Sequence, residues 1–175
     1  MASIDSLPQT ELLKERGMEI LYCTDRADEF LADSLRTYDG KEFRSAVDGD
    51  LGLEDEPKTQ ESESDKECLA FIKETLGDRV DEVKASQKLK SHPVCMTSGE
   101  GLTFEMEKYF QAVQPELSMK AKRILEVNVA HPAFLKLESV RATDPELAKK
   151  YAEVLYNQAL LIAGLPLADP SGYTD

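Results

Sequence analysis

Apolar residues along the chain recur at two spacings, and these divide it into helices and strands. Thr10 can cap a short helix, Glu11 to Arg16, which Gly17 can end. Met18 to Cys23 follows as a mostly apolar run with Ile20, Leu21 and Tyr22, which predicts a strand buried on both faces. Thr24 or Asp25 then caps a second helix, with Ala27, Phe30, Leu31, Ser34 and Leu35 spaced three or four apart. Asp39-Gly40 is a turn signal, and Phe43 to Val47 reads as a short edge strand. The expectation is a small α/β sandwich, incomplete at its N-terminal side.

From Asp48 to Lys66 the pattern lapses. Gly49, Gly52 and Pro57 interrupt structure, and Glu54, Asp55, Glu56, Glu61, Glu63 and Asp65 bring charge with almost nothing apolar. This predicts a flexible acidic linker running into a helix start. The helix carries Cys68, Leu69, Ile72 and Leu76 on one face and closes at Gly77. Val80 to Ala85, Val94 to Thr97 and Ile124 to Val127 read as strands, and Ser98 to Gly101 as a loop. Thr103 can cap a helix with Leu102, Met106, Tyr109, Phe110 and Val113, which Pro115 prevents from continuing cleanly. A short helical turn is expected after His131-Pro132. The last helix has the fullest start signal: Asp144 as cap, Pro145 at the first position and Glu146 in the first turn. Leu147, Tyr151, Val154, Leu155 and Ile162 form its stripe, flanked by Ala148, Ala152, Ala159 and Ala163. So broad an apolar face calls for a partner beyond a three-stranded sheet. Asp169-Pro170 announces one more helix, which the chain does not go on to supply. The predicted class is α+β, with a small α/β segment over 1–49, an acidic linker over 50–66 and a domain of helices on a small sheet over 67–175.

Composition narrows the partners. Of 175 residues, 34 are Asp or Glu and 21 Lys or Arg, a net charge of −13, and no basic cluster stands out. Nucleic acid, which requires phosphate neutralisation, is therefore not an expected partner, and an anionic membrane surface would repel the chain. No apolar run approaches the roughly 20 residues of a membrane span, and the N-terminus lacks the pattern of a signal peptide. Three widely spaced cysteines, Cys23, Cys68 and Cys95, fit a reducing cytosol better than a disulfide framework.

Candidate chemistry is sparse. Neither GxGxxG nor GxxxxGK[ST] occurs, and Gly99-Glu100-Gly101 sets a carboxylate where a phosphate would need donors. His92 and His131 each precede a proline and have no Cys or His at ligand spacing, so no metal is expected. Cys23 and Cys95 fall at the ends of apolar runs, where a buried, inert thiol is usual. No carboxylate pair is singled out by an apolar setting. The Thr103 to Val113 helix has two readings. Its apolar side chains pack on the sheet, or Leu102, Phe104 and Met106 stay partly exposed as an adaptable surface for unfolded segments.

The order of motifs resembles the C-terminal part of the heat-shock protein 90 chaperones, in the bacterial form, high-temperature protein G. The stretches are Leu12 to Leu21, Thr24 to Phe30, Tyr38 to Lys41, Met106 to Lys108, Leu125 to Pro132, Leu155 to Leu161 and Leu167 to Pro170, with Ala168 departing from the family's Glu. The resemblance implies the end of a middle domain followed by a dimerisation domain cut before its last helix. It implies a homodimer, weakened by that truncation, through Leu147, Tyr151, Val154, Leu155 and Ile162. It also implies contact with unfolded clients through Phe30, Leu102, Phe104, Met106 and Tyr109. The family's ATP and Mg site is expected upstream, so no catalytic residue and no cofactor are expected in this chain, and the setting is cytoplasmic. Two rivals remain: an acidic adapter that binds a basic partner through the linker, and a stand-alone small α/β enzyme.

Overall fold

The computed structural model describes residues 7–25, 27–46, 61–99, 101–117 and 119–173. They form six α-helices, α1 (Glu11–Glu15), α2 (Asp28–Leu35), α3 (Glu63–Leu76), α4 (Phe104–Val113), α5 (Pro132–Thr143) and α6 (Pro145–Ile162). The strands are β1 (Thr37–Tyr38), β2 (Lys41–Glu42), β3 (Glu82–Ala85), β4 (Val94–Ser98) and β5 (Arg123–Val127). The class is mixed α+β, as the pattern predicts.

The main sheet has the order β3-β5-β4. β3 runs parallel to β5, with Lys84 opposite Glu126, and β4 runs antiparallel, with Cys95 opposite Glu126. Strand side chains alternate between faces. Ala85, Val94, Met96, Leu125 and Val127 therefore enter one core with Ile72 and Leu76 of α3, Phe134 and Leu137 of α5, and Leu155 and Leu160 of α6. Ion pairs pin the helices at their rims: Arg141 to Glu67 at 3.1 Å, and Arg79 to Glu153 through two bonds of 2.7 and 2.5 Å.

Helix starts follow the local chemistry. Ser62 and Asp65 make a capping box, with the Ser62 hydroxyl accepting from Asp65 N–H at 3.1 Å and Asp65 accepting from Ser62 N–H at 2.8 Å. α3 therefore begins at Glu63, inside the stretch expected as linker, while residues 47–60 lie outside the described set. The turn after His131-Pro132 is longer than expected, because α5 continues to Thr143.

The first segment departs most from expectation. Residues 18–24 form no strand, and Met18, Leu21 and Tyr22 are exposed. A strand needs a neighbour to take its backbone hydrogen bonds, and no described strand pairs with this run. The expected buried setting of Cys23 fails with it, and Cys23 is exposed. α2 starts at Asp28, whose carboxylate accepts from the N–H groups of Thr24 and Asp25 at 2.9 Å each. Its apolar residues Phe30, Leu31 and Leu35 stay exposed. The edge strand lies earlier than expected, as the β1–β2 hairpin around Asp39 (φ +48°) and Gly40 (φ +74°), a turn in which both residues adopt the left-handed region. These elements do not make a sandwich.

Candidate functional site

Two surfaces carry the residues expected to bind partners, and the structure redraws both. On α4, Thr103 caps the helix, its Oγ1 accepting from Met106 N–H at 3.2 Å. That start turns Phe104 into the core cluster, with Leu102 packed against it. Phe104 is 7% exposed and Met106 9%. Both are thus corrected from open contact residues to buried ones. Leu102 and Tyr109 are half-buried, and Phe30 is exposed. Phe30 meets Tyr109 edge-on with ring centroids 5.6 Å apart, and Tyr109 meets Phe110 at 5.8 Å, so α2 and α4 share an aromatic bridge.

The open apolar side chains of this region lie further along the chain. Val113 is 54% exposed, Leu117 51% and Met119 39%. Tyr109 and Val113 sit four residues apart on one helical face. Together these residues form an apolar run at the C-terminal half of α4 and just beyond it. Sequence periodicity missed Leu117 and Met119, because they follow Pro115 and belong to no helical stripe.

α6 is turned relative to expectation. Its buried face is Ala148, Ala152, Leu155, Tyr156, Ala159 and Leu160, so the small side chains are the core face, not its flank. Leu155 is therefore corrected from partner contact to core. Small residues let the helix lie close to β4, and Tyr156 stacks under the Arg79 guanidinium at 5.4 Å. Leu147, Val154 and Leu161 remain exposed, and Tyr151 and Ile162 are half-buried. Leu147, Val154 and Leu161 recur every seven residues, with Tyr151 between, which is the spacing of a helix-pairing seam.

Three carboxylates that composition alone did not distinguish are built into the fold. Glu126 is 1% exposed on the second face of the sheet. It accepts from Ser86 Oγ at 2.8 Å and Thr97 Oγ1 at 3.2 Å, with Lys84 and Lys88 Nζ at 3.7 and 3.8 Å. Such pairing is what permits a buried carboxylate. Glu107 of α4 is buried against the start of β5. Glu11 of α1 accepts from Lys90 N–H at 2.9 Å, Ser91 N–H at 3.2 Å and the Ser91 hydroxyl, and pairs with His92 Nδ1 at 2.8 Å. Burial would raise the Glu11 carboxyl, but these hydrogen bonds outweigh it and hold it down at about 2. Burial pushes the Cys68 thiol up to about 11 and raises Cys95 further, the latter helped by Glu126. Both are poor nucleophiles.

His131 is a helix cap, its Nδ1 accepting from Ala133 N–H at 3.1 Å. Among the described residues no group of three or more His, Cys, Asp or Glu is placed to hold a metal ion, and no helix is long and apolar enough to cross a membrane. A hollow of about 290 Å³ opens where β3 and β5 end, lined by Ser86, Lys90, Asn128 and His131 among others.

Comparison with known proteins gives the lineage. The family model for Hsp90 protein matches residues 1–175. The chain is 45% identical to the chaperone protein HtpG of Oceanobacillus iheyensis over 175 residues, 98% of this chain and 28% of that protein. It is 46% identical to HtpG of Clostridium acetobutylicum over 169 residues, 95% of this chain and 27% of that protein. With HtpG of Bacillus subtilis the identity is 43% over 176 residues, 98% and 28% of the two chains. The chain thus spans a little over a quarter of the length of the curated relatives it matches. These findings correct three expectations: that this is a C-terminal piece, that it has no enzymatic part, and that it holds no cofactor. The match ties all 175 residues to the family and does not set them apart from its ATP-binding part, so the three are withdrawn. We assign no described residue to a nucleotide. The end-to-end family match and the shared identity together place the chain plainly: it belongs to the Hsp90 family.

Proposed function

We propose that this chain serves a cytoplasmic chaperone of the HtpG kind, by offering unfolded polypeptide an apolar surface beside α4 and by pairing with a second copy of itself through α6. The observation that carries the reading is the exposure of Val113, Leu117 and Met119, which follow the half-buried Tyr109 along the chain, with the exposed Phe30 against the Tyr109 ring. Aromatic and thioether side chains conform to varied apolar partners, which a binder of many unfolded sequences requires. Phe30, Leu102 and Tyr109 keep their place in this surface, and Phe104 and Met106, being buried, leave it.

Pairing rests on a separate observation, the exposed seam of Leu147, Val154 and Leu161 with Tyr151 and Ile162 beside it. Two such seams laid against each other would remove apolar area from water on both copies. Relatives named HtpG are chaperones, which agrees with this reading. Its test is suppression of aggregation of a heat-unfolded reporter protein by the chain and by Val113→Ser/Met119→Ser. Loss of suppression in a variant with unchanged helix content supports the surface. Equal suppression by both rejects it.

A further inference from the structure

The helix that borders this surface is held down by one carboxylate. Glu107 is 4% exposed, and its Oε2 accepts from the backbone N–H of Ala121 at 2.7 Å. Its Oε1 accepts from Arg123 at 2.8 Å and from Gln111 at 3.1 Å. Arg123 in turn donates to the carbonyl of Ala121 at 2.9 Å and stands 6.0 Å over the ring of Phe104. One acidic side chain thus fastens α4 to the segment entering β5, and its cationic partner also covers the core-facing ring of the same helix. Its other ties are the ring contact of Tyr109 with Phe30 and the burial of Phe104 and Met106. Among the described residues, the helices that pack most closely on the sheet are α3 on β3 and α6 on β4. The buried residues of α4 are Phe104, Met106 and Glu107, all in its first half, and Gly101 (φ +102°), in a conformation that favours glycine, lies just before the helix.

We propose that Glu107 is the latch of a hinged α4, whose release lifts the helix and uncovers Phe104 and Met106 as additional apolar surface for unfolded polypeptide. The inference rests on the client-contact reading above and adds its control. A closed latch leaves Tyr109, Val113, Leu117 and Met119 available, and an open one joins Phe104 and Met106 to them in a larger surface. The buried carboxylate makes the two positions discrete. Its partners must be kept together or given up to water together, because a half-satisfied buried charge is costly.

The test measures opening and capture separately in the 175-residue chain. Glu107→Ala is expected to speed amide exchange by about tenfold or more over 104–113 and at Ala121, with β4 and α6 protection unchanged, as local opening requires. Glu107→Gln keeps an acceptor for Ala121 N–H but loses the ion pair, and is expected to fall between wild type and Glu107→Ala. It also serves if the alanine variant folds poorly. Binding of an apolar dye and suppression of reporter aggregation should rise in the same order. Exchange that is unchanged in α4, or faster everywhere alike, overturns the latch. Local opening without a gain in capture overturns the client role of the uncovered residues, whereas the client-contact reading itself falls only if the wild-type chain and Val113→Ser/Met119→Ser suppress aggregation equally.

Discussion

At Glu11 burial and hydrogen bonding pull the carboxyl in opposite directions, and hydrogen bonding wins. Its folded value of about 2 lies below the ordinary 4.5, so it contributes stability above pH 4.5. That contribution is lost as pH falls from there through the folded value. A shift of this size corresponds to roughly 3 kcal/mol before screening by solvent at this partly exposed site. Acid unfolding should therefore be steeper in the wild type than in Glu11→Gln between pH 4.5 and about 2, as read by thermal melting across pH. Parallel melting curves would show that the clasp onto Lys90, Ser91 and His92 contributes nothing. No spacing rule could have found this contact, because Glu11 and His92 stand 81 residues apart. The same holds for Glu107 and Glu126. With 34 acidic residues in the chain, only the fold distinguishes the few that are buried.

Helix starts were legible at Thr103 and Asp144, which cap as their sequence context predicts, whereas the Ser62 cap of α3 fell inside the stretch expected as linker. Asp144 accepts from Leu147 N–H at 3.1 Å, and Asp144→Ala should lower stability by about 1 kcal/mol in denaturant unfolding. No change would mean that Pro145 and packing define the start of α6 alone. The three strands β3, β4 and β5 were legible, since a helix layer buries them, but their order and direction were not. A strand was misread at residues 18–23, where an apolar run alone does not supply the neighbour that a strand needs. Face assignment on α6 was misread for a related reason. Leu147, Tyr151, Val154, Leu155 and Ile162 were expected to share one partner-facing stripe with the alanines as its flank, yet close approach to β4 makes the alanines the core face, draws Leu155 in with them and leaves Leu147, Val154 and Leu161 outside.

At the scale of the whole molecule the chain is proposed to self-associate and to contact clients. Val154→Asp places a charge in the α6 seam without touching the core, since Val154 is about half exposed. Sedimentation equilibrium should find the chain self-associating and this variant shifted toward monomer by about tenfold or more in dissociation constant, as loss of a central apolar contact implies. Identical behaviour would remove the seam from the account. Family membership was legible in the order of motifs across the chain. The assignment of the chain to one end of the family, apart from its ATP chemistry, was not sustained by the comparisons. The surface proposed for client contact lies not at Phe104 and Met106, which are buried, but at Val113, Leu117 and Met119, which are exposed. The most direct test is light scattering of a heat-unfolded reporter in the presence of the chain, with Val113→Ser/Met119→Ser as the comparison. The account predicts that the wild type suppresses scattering and that the variant, with unchanged circular dichroism, largely loses this activity. Equal suppression by wild type and variant would contradict it.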